Sequence, residues 1–276
     1  PLPPPPPPAP KRETPGVGAY GVEVSATFVG RRAYTRFEIE DAVGAELGRR
    51  LRLPYHSRAG GAVPPAGCLA WRVTIEGERA VIALRASPRP LHRRPYKLGS
   101  VRGTLHPPLA AAMAALARLG EARAVLDPCC GAGTTLIEAY ALAPRARLLG
   151  LDHAPAAVAA ADANAARMLT ATAGAGDRLA WGVADGGRIP VADGGVDRVL
   201  VNPPWGRQVP PAGLLARDPG RLWREVRRVL APDGLVVALV HDGLPDGFTV
   251  RETVRVSLSG RHPELAVLTP GRARTR

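Results

Sequence analysis

The sequence predicts a doubly wound α/β domain that ends in an antiparallel hairpin and is preceded by a small α+β domain. Beyond residue 104, short apolar segments of strand length alternate with helical segments, a pattern typical of a mostly parallel sheet. Between residues 20 and 87 the strands are instead separated by one helix and one tight turn. The chain has 276 residues, 46% of them hydrophobic, which is enough to build two cores.

A proline-rich tail is predicted at residues 1–19. It begins PLPPPPPPAPKRETP, and proline lacks the backbone donor that helices and sheet ladders need. We therefore expect this tail to be disordered. Because the first residue is Pro1 and not Met, we also expect a trimmed or partial chain.

The small α+β domain is predicted at residues 20–93. Alternating apolar residues indicate half-buried strands, and a segment with apolar residues at helical spacing ends in Arg49 and Arg50, which the helix dipole favours. The predicted strand, helix and strand pair lie at 22–28, 37–50, 69–75 and 80–84. A basic connector, LHRRPYK at 91–97, leads into the next domain.

The α/β domain is predicted at residues 94–276. Its helices are expected at 105–119, 133–142, 155–168 and 214–230. Its strands are expected at 122–126, 146–151, 178–183, 196–201 and 235–240, followed by the hairpin strands at 249–258 and 265–269. Sheets of this kind bind ligands at the carboxyl ends of their strands.

Charge and composition narrow the class of protein. Lys and Arg number 37 against 24 Asp and Glu, a net charge of +13, which favours a polyanionic partner such as a nucleic acid. Part of the arginine excess reflects codon bias, because Lys occurs only at positions 11 and 97. No apolar run reaches the roughly 18 residues of a membrane span, so we expect a soluble, cytoplasmic protein that does not bind a membrane. The three cysteines form no zinc-binding pattern, and no metal is expected.

The first motif with chemical content is VLDPCCGAGTT at residues 125–135. A strand ends in an acid, turns through glycines that let a ligand approach the backbone, and opens a helix. Asp152 ends the next strand, where a carboxylate can accept both hydroxyls of a ribose. Leu136 occupies the place of the third glycine of dinucleotide sites, and Asp127 suits a cationic sulfonium cofactor. The motif therefore favours S-adenosylmethionine over a nicotinamide cofactor.

The second motif is VLVNPPWG at residues 199–206, after the fourth predicted strand. An exocyclic amine on a base is a poor nucleophile, and acceptors on its N–H bonds direct its lone pair toward a methyl donor. The amide oxygen of Asn202 and the carbonyl of Pro203 can be these acceptors, and Trp205 offers a face for an extruded base. The predicted catalytic residues are thus Asn202, Pro203 and Trp205.

Asp185 ends the third predicted strand and could bind the adenine amino group, or it could be a solvated turn residue. Cys129 and Cys130 have no histidine nearby, so we interpret them as small buried residues rather than nucleophiles. The arginine-rich segments 49–52 and 221–228 could contact phosphates or simply be solvated.

These motifs resemble the class I S-adenosylmethionine-dependent methyltransferases, and more narrowly the group in which a THUMP domain precedes a guanine-N2 methyltransferase domain acting on tRNA. The resemblance covers residues 98–270, and the stretches 90–96 and 105–110 are similar to the junction of that group. It is fainter over 20–93, and members usually carry a ferredoxin-like segment where this chain has a proline tract. Family members often have Phe and Ser where this chain has Cys129 and Ala132.

The resemblance implies a Rossmann-like fold and assigns roles to matching positions. The cofactor-binding residues so implied are Asp127, Cys130, Gly131, Gly133, Thr134, Asp152, His153, Asp185 and Asn202. The function implied is methyl transfer to the N2 amine of guanosine in structured RNA, with tRNA as the expected substrate and RNA as the partner.

Other functions remain open at the level of sequence. The same loop serves planar amines in general, so adenine-N6 methylation of nucleic acid and glutamine-N5 methylation of protein are alternatives. A catalytically silent RNA-binding protein and a nicotinamide oxidoreductase belong to different classes.

Overall fold

The computed structural model describes residues 20–87, 90–170, 178–204, 206, 209–241, 243–258 and 261–271. The chain divides between Pro90 and Leu91 into two units. The predicted proline-rich tail at 1–19 lies outside the described residues. In the described part of the chain, no helix has the length and apolar character that crossing a membrane would need.

The first unit is a three-stranded sheet with one long helix. Its elements are β1 (Val22–Phe28), α1 (Arg36–Leu51), β2 (Leu69–Glu76) and β3 (Arg79–Leu84). The central strand β2 pairs in parallel with β1 and antiparallel with β3. A small core forms around Val22, Val24 and Val73, onto which apolar residues of α1 pack.

The helix α1 begins at a capping box. The Thr35 hydroxyl accepts the Glu38 N–H, and the Glu38 carboxylate accepts the Thr35 N–H at 2.7 Å. The buried Glu40 carboxylate accepts the Ala26 N–H at 2.8 Å, which ties the helix to β1. Local sequence therefore sets where this helix begins, and one buried side chain sets how it docks.

The second unit is a seven-stranded sheet with helices between its strands. The helices are α2 (Pro107–Leu116), α3 (Thr134–Tyr140), α4 (Pro155–Thr170) and α5 (Gly220–Val229). The strands are β4 (Ala124–Asp127), β5 (Arg147–Asp152), β6 (Leu179–Val183), β7 (Val196–Val201), β8 (Leu230–Val240), β9 (Phe248–Arg255) and β10 (Glu264–Pro270).

The strand order is β6-β5-β4-β7-β8-β10-β9, and the strands from β6 to β8 are parallel. The last strand, β10, lies between β8 and the edge strand β9 and is antiparallel to both. This confirms the predicted doubly wound sheet with its antiparallel hairpin. The chain order reverses between β4 and β7, and such a switch point leaves a crevice at the carboxyl ends of the two strands.

Both faces of the centre of the sheet are buried, as the packing of β7 shows. Leu200 packs into one cluster with Met113 of α2 and Leu136 of α3. Its neighbours Val199 and Val201 pack into the opposite cluster with apolar residues of α5. Parallel strands covered on both faces read as continuous apolar runs, which is why the sequence shows them clearly.

One predicted helix is wrong in its extent. The segment predicted as a single helix over 214–230 contains a short 3-10 turn, Gly213–Ala216, and α5 begins only at Gly220. Pro219 disfavours helical geometry at the residue before it, so the helix starts after the proline. The following strand begins at Leu230, earlier than predicted, and its register against β7 shifts between Val196 and Arg198.

Candidate active site

A cavity of about 760 Å³ opens at the carboxyl ends of β4, β5 and β7. Of the residues predicted from sequence to form the site, most line it: Asp127, Cys130, Gly131, Thr134, Asp152, His153, Asp185, Asn202 and Pro203. Gly133 is not among the residues that line it, and Trp205 lies outside the described residues. The topology therefore brings together side chains separated by up to 76 positions in sequence, from Asp127 to Pro203.

The glycine turn between β4 and α3 has the backbone geometry that requires glycine. Gly131 and Gly133 have φ angles of 52° and 76°, in the left-handed region. A Cβ on Gly133 would also lie 2.6 Å from the Trp181 ring and 2.9 Å from the Ala161 Cβ. A side chain at this position would push α3 away from α4 and β6.

Asp127 is a buried carboxyl group beneath this turn, 1% exposed. It accepts the Cys129 N–H at 3.0 Å and a short hydrogen bond from the Thr135 hydroxyl. Burial raises the pKa of Asp127 to about 7; these two hydrogen bonds oppose the rise and the neighbouring Asp152 adds to it. A cationic ligand in the cavity would favour its ionised form.

Asp152 joins the glycine turn to the start of α4. One carboxylate oxygen accepts the Gly131 N–H at 2.9 Å and the other accepts the Ala154 N–H at 2.9 Å. A carboxylate offers about four acceptor sites, so it can hold both backbone groups and still accept hydroxyls from a ligand. The side chain therefore has a structural task beside the predicted one.

Asp185 follows β6 and holds the loop that closes one side of the cavity. Its oxygens accept the Gly187 N–H at 2.7 Å and the Leu214 N–H at 2.8 Å. It is thus a tie between two loops rather than a solvated turn residue, and it still faces the cavity.

Asn202 and Pro203 follow β7 on the other side of the cavity. The Asn202 Nδ2 donates to the Gly103 carbonyl at 3.3 Å. This bond ties the donor end of the amide to the segment that precedes α2. Pro203 is buried beside it, and the two consecutive prolines restrict the loop.

The two cysteines of the turn are held as thiols. Burial raises the pKa of both Cys129 and Cys130, and the surrounding aspartates raise it further. The Cys130 N–H donates to the Leu151 carbonyl at 2.8 Å, so the backbone of this residue joins the turn to β5. These features favour the interpretation of both as small packed residues rather than nucleophiles, Cys130 being buried and Cys129 half-buried.

The residues present fit S-adenosylmethionine. The carboxyl groups of Asp127, Asp152 and Asp185 line the cavity, and carboxylates would suit the ammonium and sulfonium charges and the ribose hydroxyls of this cofactor. The Thr134 hydroxyl, on a residue 2% exposed at the start of α3, has no hydrogen-bond partner among the described residues and lines the cavity. This buried hydroxyl is therefore available to a polar group of a ligand in the cavity.

Basic side chains also line the cavity. Lys97, Arg102 and Arg261 border it, and none forms an ion pair with another described residue. The cavity is therefore lined by charges of both signs: the aspartates accept hydrogen bonds from backbone groups, whereas these three cations form no ion pair in the described part of the chain. Of these three, only Lys97 lies in a segment predicted from sequence to be basic; Arg102 and Arg261 become neighbours of the site only by folding.

The sequence analysis also missed two side chains that hold the connector to the α/β unit. Glu138 of α3 accepts two hydrogen bonds from Arg94, at 2.8 and 3.0 Å, and one from the Tyr96 hydroxyl at 2.6 Å. Asn164 of α4 accepts the N–H groups of Leu98 and Gly99, the two residues that follow the connector. A helical Glu or Asn carries no signal of such a role in one sequence.

Comparisons with known proteins agree with this site. A family model described as an RMKL-like methyltransferase domain matches residues 93–244. The tRNA (guanine(6)-N2)-methyltransferase of Thermus thermophilus is 33% identical over 275 residues, covering 94% of this chain and 75% of that protein. The U6 snRNA (guanine-N(2))-methyltransferase THUMPD2 of Bos taurus is 30% identical over 154 residues, covering 55% of this chain and 28% of that protein.

Solved structures show the same likeness. The crystal structure of TrmN from Thermus thermophilus superposes with a TM-score of 0.67 and 29% identity, covering 91% of this chain and 73% of that one. The match of the family model and of the Thermus relative favours a methyltransferase over a nicotinamide oxidoreductase. The chain belongs to the RMKL-like methyltransferase domain family and is an S-adenosylmethionine-dependent methyltransferase.

Proposed function

We propose that this protein transfers a methyl group from S-adenosylmethionine to the N2 amine of a guanosine in structured RNA, and that the RNA is a tRNA. The observation that carries the proposal is the Asn202–Pro203 loop, which borders the same cavity as the glycine turn and has its amide anchored through Nδ2. The printed names of the Thermus and Bos taurus relatives, both guanine-N2 methyltransferases of RNA, support the choice of base and atom.

The task of the loop is to make a weak nucleophile reactive. The lone pair of an exocyclic amine is delocalised into the ring of the base. Asn202 Oδ1 and the Pro203 carbonyl accept the two N–H bonds, so the nitrogen becomes pyramidal with its lone pair directed into the cavity. No strong general base is required, because the proton leaves after the methyl group has been transferred. Trp205 is proposed to stack on the extruded base.

The cofactor side is assigned to the glycine turn and the strand-end acids. S-adenosylmethionine supplies an electrophilic methyl carbon when bound. Asp152 accepts the ribose hydroxyls, and Asp185 accepts from the adenine amino group. Asp127 stabilises the positive charge of the cofactor, and Gly131 and Gly133 allow it to approach the backbone. Cys130, Thr134 and His153 complete its surroundings.

The basic side chains that line the cavity support an RNA substrate. Lys97, Arg102 and Arg261 carry positive charge that no described carboxylate neutralises, and phosphates beside the target nucleotide would do so. A neutral protein side chain such as glutamine would not need them. We further propose that residues 20–93 form a THUMP-like domain that docks the RNA. The cytoplasmic location stays a prediction of the sequence.

The test is methylation of total RNA from a strain that lacks this activity, with labelled S-adenosylmethionine, followed by identification of the labelled nucleoside. N2-methylguanosine in the tRNA fraction is expected. Label in N6-methyladenosine, or in protein, would refute the proposed target. Asn202→Ala should bind the cofactor as the parent does and lose methyl transfer; turnover equal to the parent would refute the role of Asn202.

A further inference from the structure

Asn164 is a polar side chain buried in the middle of α4, with no exposed surface. Asparagine is a poor helix former, and burying an amide costs free energy unless every polar atom finds a partner. Its neighbours along the helix are mostly alanines, which would serve packing equally well. The position therefore calls for an explanation beyond helix stability.

The amide of Asn164 uses its full hydrogen-bonding capacity, and it does so across two segments. Its oxygen accepts the N–H groups of Leu98 and Gly99, at 2.8 and 3.0 Å. Its nitrogen donates to the Gly99 carbonyl at 3.1 Å and to the Ala132 carbonyl at 2.9 Å. Ala132 lies between the two glycines of the turn. One side chain thus holds the glycine turn and residues 98–99 together.

The connector continues as a strap, residues 98–104, along the cavity. The strap ends in a tight turn in which the Thr104 hydroxyl accepts the Val101 N–H at 2.8 Å and donates to the Val101 carbonyl at 2.6 Å. Within that turn, the Gly103 carbonyl accepts the hydrogen bond from Asn202 Nδ2.

Gly103 also fits closely against the loop that follows Asn202. Its φ angle is +75°, and a Cβ there would lie 2.6 Å from Val209 Cγ2. The strap therefore contacts the segment that follows β7 at two places, the Asn202 amide and Val209. The strap can orient that loop only if its first residues, 98 and 99, are held in place.

We propose that Asn164 is a positioning residue, which fixes the strap to the glycine turn so that Gly103 orients the Asn202 amide toward the reacting amine. This inference rests on the proposed role of Asn202 in methyl transfer. Asn164 does not touch the cavity. It acts through the strap, and a small displacement of the catalytic amide is enough to lower the rate because the reaction depends on orientation.

The test measures kcat per cofactor-binding site, with the full chain, labelled S-adenosylmethionine and the RNA substrate, both saturating. The number of competent sites is titrated with S-adenosylhomocysteine by calorimetry. Asn164→Ala should lower kcat per site at least tenfold and leave the Kd for RNA within twofold of the parent. Asp162→Ala, an exposed change on the same helix, is the matched control and should leave kcat unchanged.

A second variant keeps the proposal testable if Asn164→Ala misfolds. Thr104→Val breaks both side-chain bonds of the strap turn without touching α4, and it should also lower kcat per site. If both residues act through the strap, kcat per site of the double variant, Asn164→Ala with Thr104→Val, falls by less than the product of the two single fold-changes. Asn164→Ala is also expected to show a modest rise in the Kd for the cofactor, since Ala132 loses its partner.

The outcomes separate this proposal from the one on which it rests. A drop in the number of cofactor sites or in thermal stability, with unchanged kcat per site in both variants, would show that Asn164 only supports the fold. Independent, multiplying losses in kcat would also overturn the proposal. If Asn202→Ala keeps the parental rate in the same assay, the assigned catalytic role fails instead. Loss of rate in Asn202→Ala with no loss in either strap variant refutes the positioning role alone.

Discussion

Replacing Asp152 by Ala tests the cofactor site most directly. The parent carboxylate accepts the Gly131 and Ala154 N–H groups, both at 2.9 Å, and borders the cavity. If it also accepts the two ribose hydroxyls of the cofactor, the variant loses two hydrogen bonds to a charged group. The backbone groups it frees lie in a partly exposed region, where water can replace the carboxylate.

The expected size follows from the number of bonds. A hydrogen bond to a charged group contributes about 1.5–3 kcal/mol. Two such bonds at the low end, as suits a half-buried carboxylate, give about 3 kcal/mol. Since 1.4 kcal/mol is a factor of ten in a dissociation constant, the Kd for the cofactor should rise roughly 100-fold.

Calorimetry with two ligands separates the ribose contact from the structural role of Asp152. The ligands are S-adenosylhomocysteine and its analogue without the two ribose hydroxyls. The parent should bind the analogue roughly 100-fold more weakly, whereas Asp152→Ala should bind both ligands about equally. The contrary result is that Asp152→Ala raises the Kd of both ligands by the same factor and keeps the parental difference between them. In that case Asp152 only holds the turn, and the ribose assignment is wrong. Asp162→Ala, which removes a negative charge on exposed α4 surface, should bind both ligands as the parent does.

Three further changes test other parts of the molecule. The pKa of Asp127 is raised to about 7 in the folded chain, so above about pH 4 the native state retains a proton that the unfolded state has lost. The free energy of unfolding should therefore fall between about pH 4 and 7, by at most about 1.4 kcal/mol per pH unit. Urea titrations without cofactor measure this fall. Asp127→Asn should flatten this pH dependence, and an equal slope in the variant would contradict the assignment. Arg102→Ala should weaken RNA binding for all sequences alike and reduce the slope of log Kd against log salt by about one in filter binding, whereas Arg147→Ala, at the amino end of β5, should leave the slope unchanged. Leu136→Ala removes a fully buried side chain of α3 and should lower the free energy of unfolding by about 2–5 kcal/mol; the exposed Leu142→Ala is its control, and similar losses in both would show that the core is elsewhere.

Much of the fold follows from local patterns. Strands covered on both faces, such as β7, are largely apolar runs. The glycine turn has positive φ angles at Gly131 and Gly133, which residues other than glycine rarely adopt. The strand-end position of Asp127, Asp152 and Asn202 follows from the same patterns. For this reason the sheet, the family and the cofactor class could all be predicted, and the structure and the comparisons confirm them.

The boundaries of elements near proline were harder to predict. The apolar and basic periodicity continues through 214–230, but Pro219 separates a 3-10 turn from α5. Periodicity reports which face is buried, whereas the backbone at a proline decides where the helix can begin.

The sequence alone determined the doubly wound sheet, the glycine turn, the acids at the strand ends and the Asn202–Pro203 loop, because each depends on residues close together in the chain. The tertiary structure decided which distant groups meet. Asn164 lies 32 positions after Ala132 and 65 after Gly99 and binds both, and Gly103 binds an amide 99 positions away. The same packing brings Arg261 to the cavity that Asp127 lines. Such contacts are set by the order in which strands pair and helices cross, which periodicity does not record.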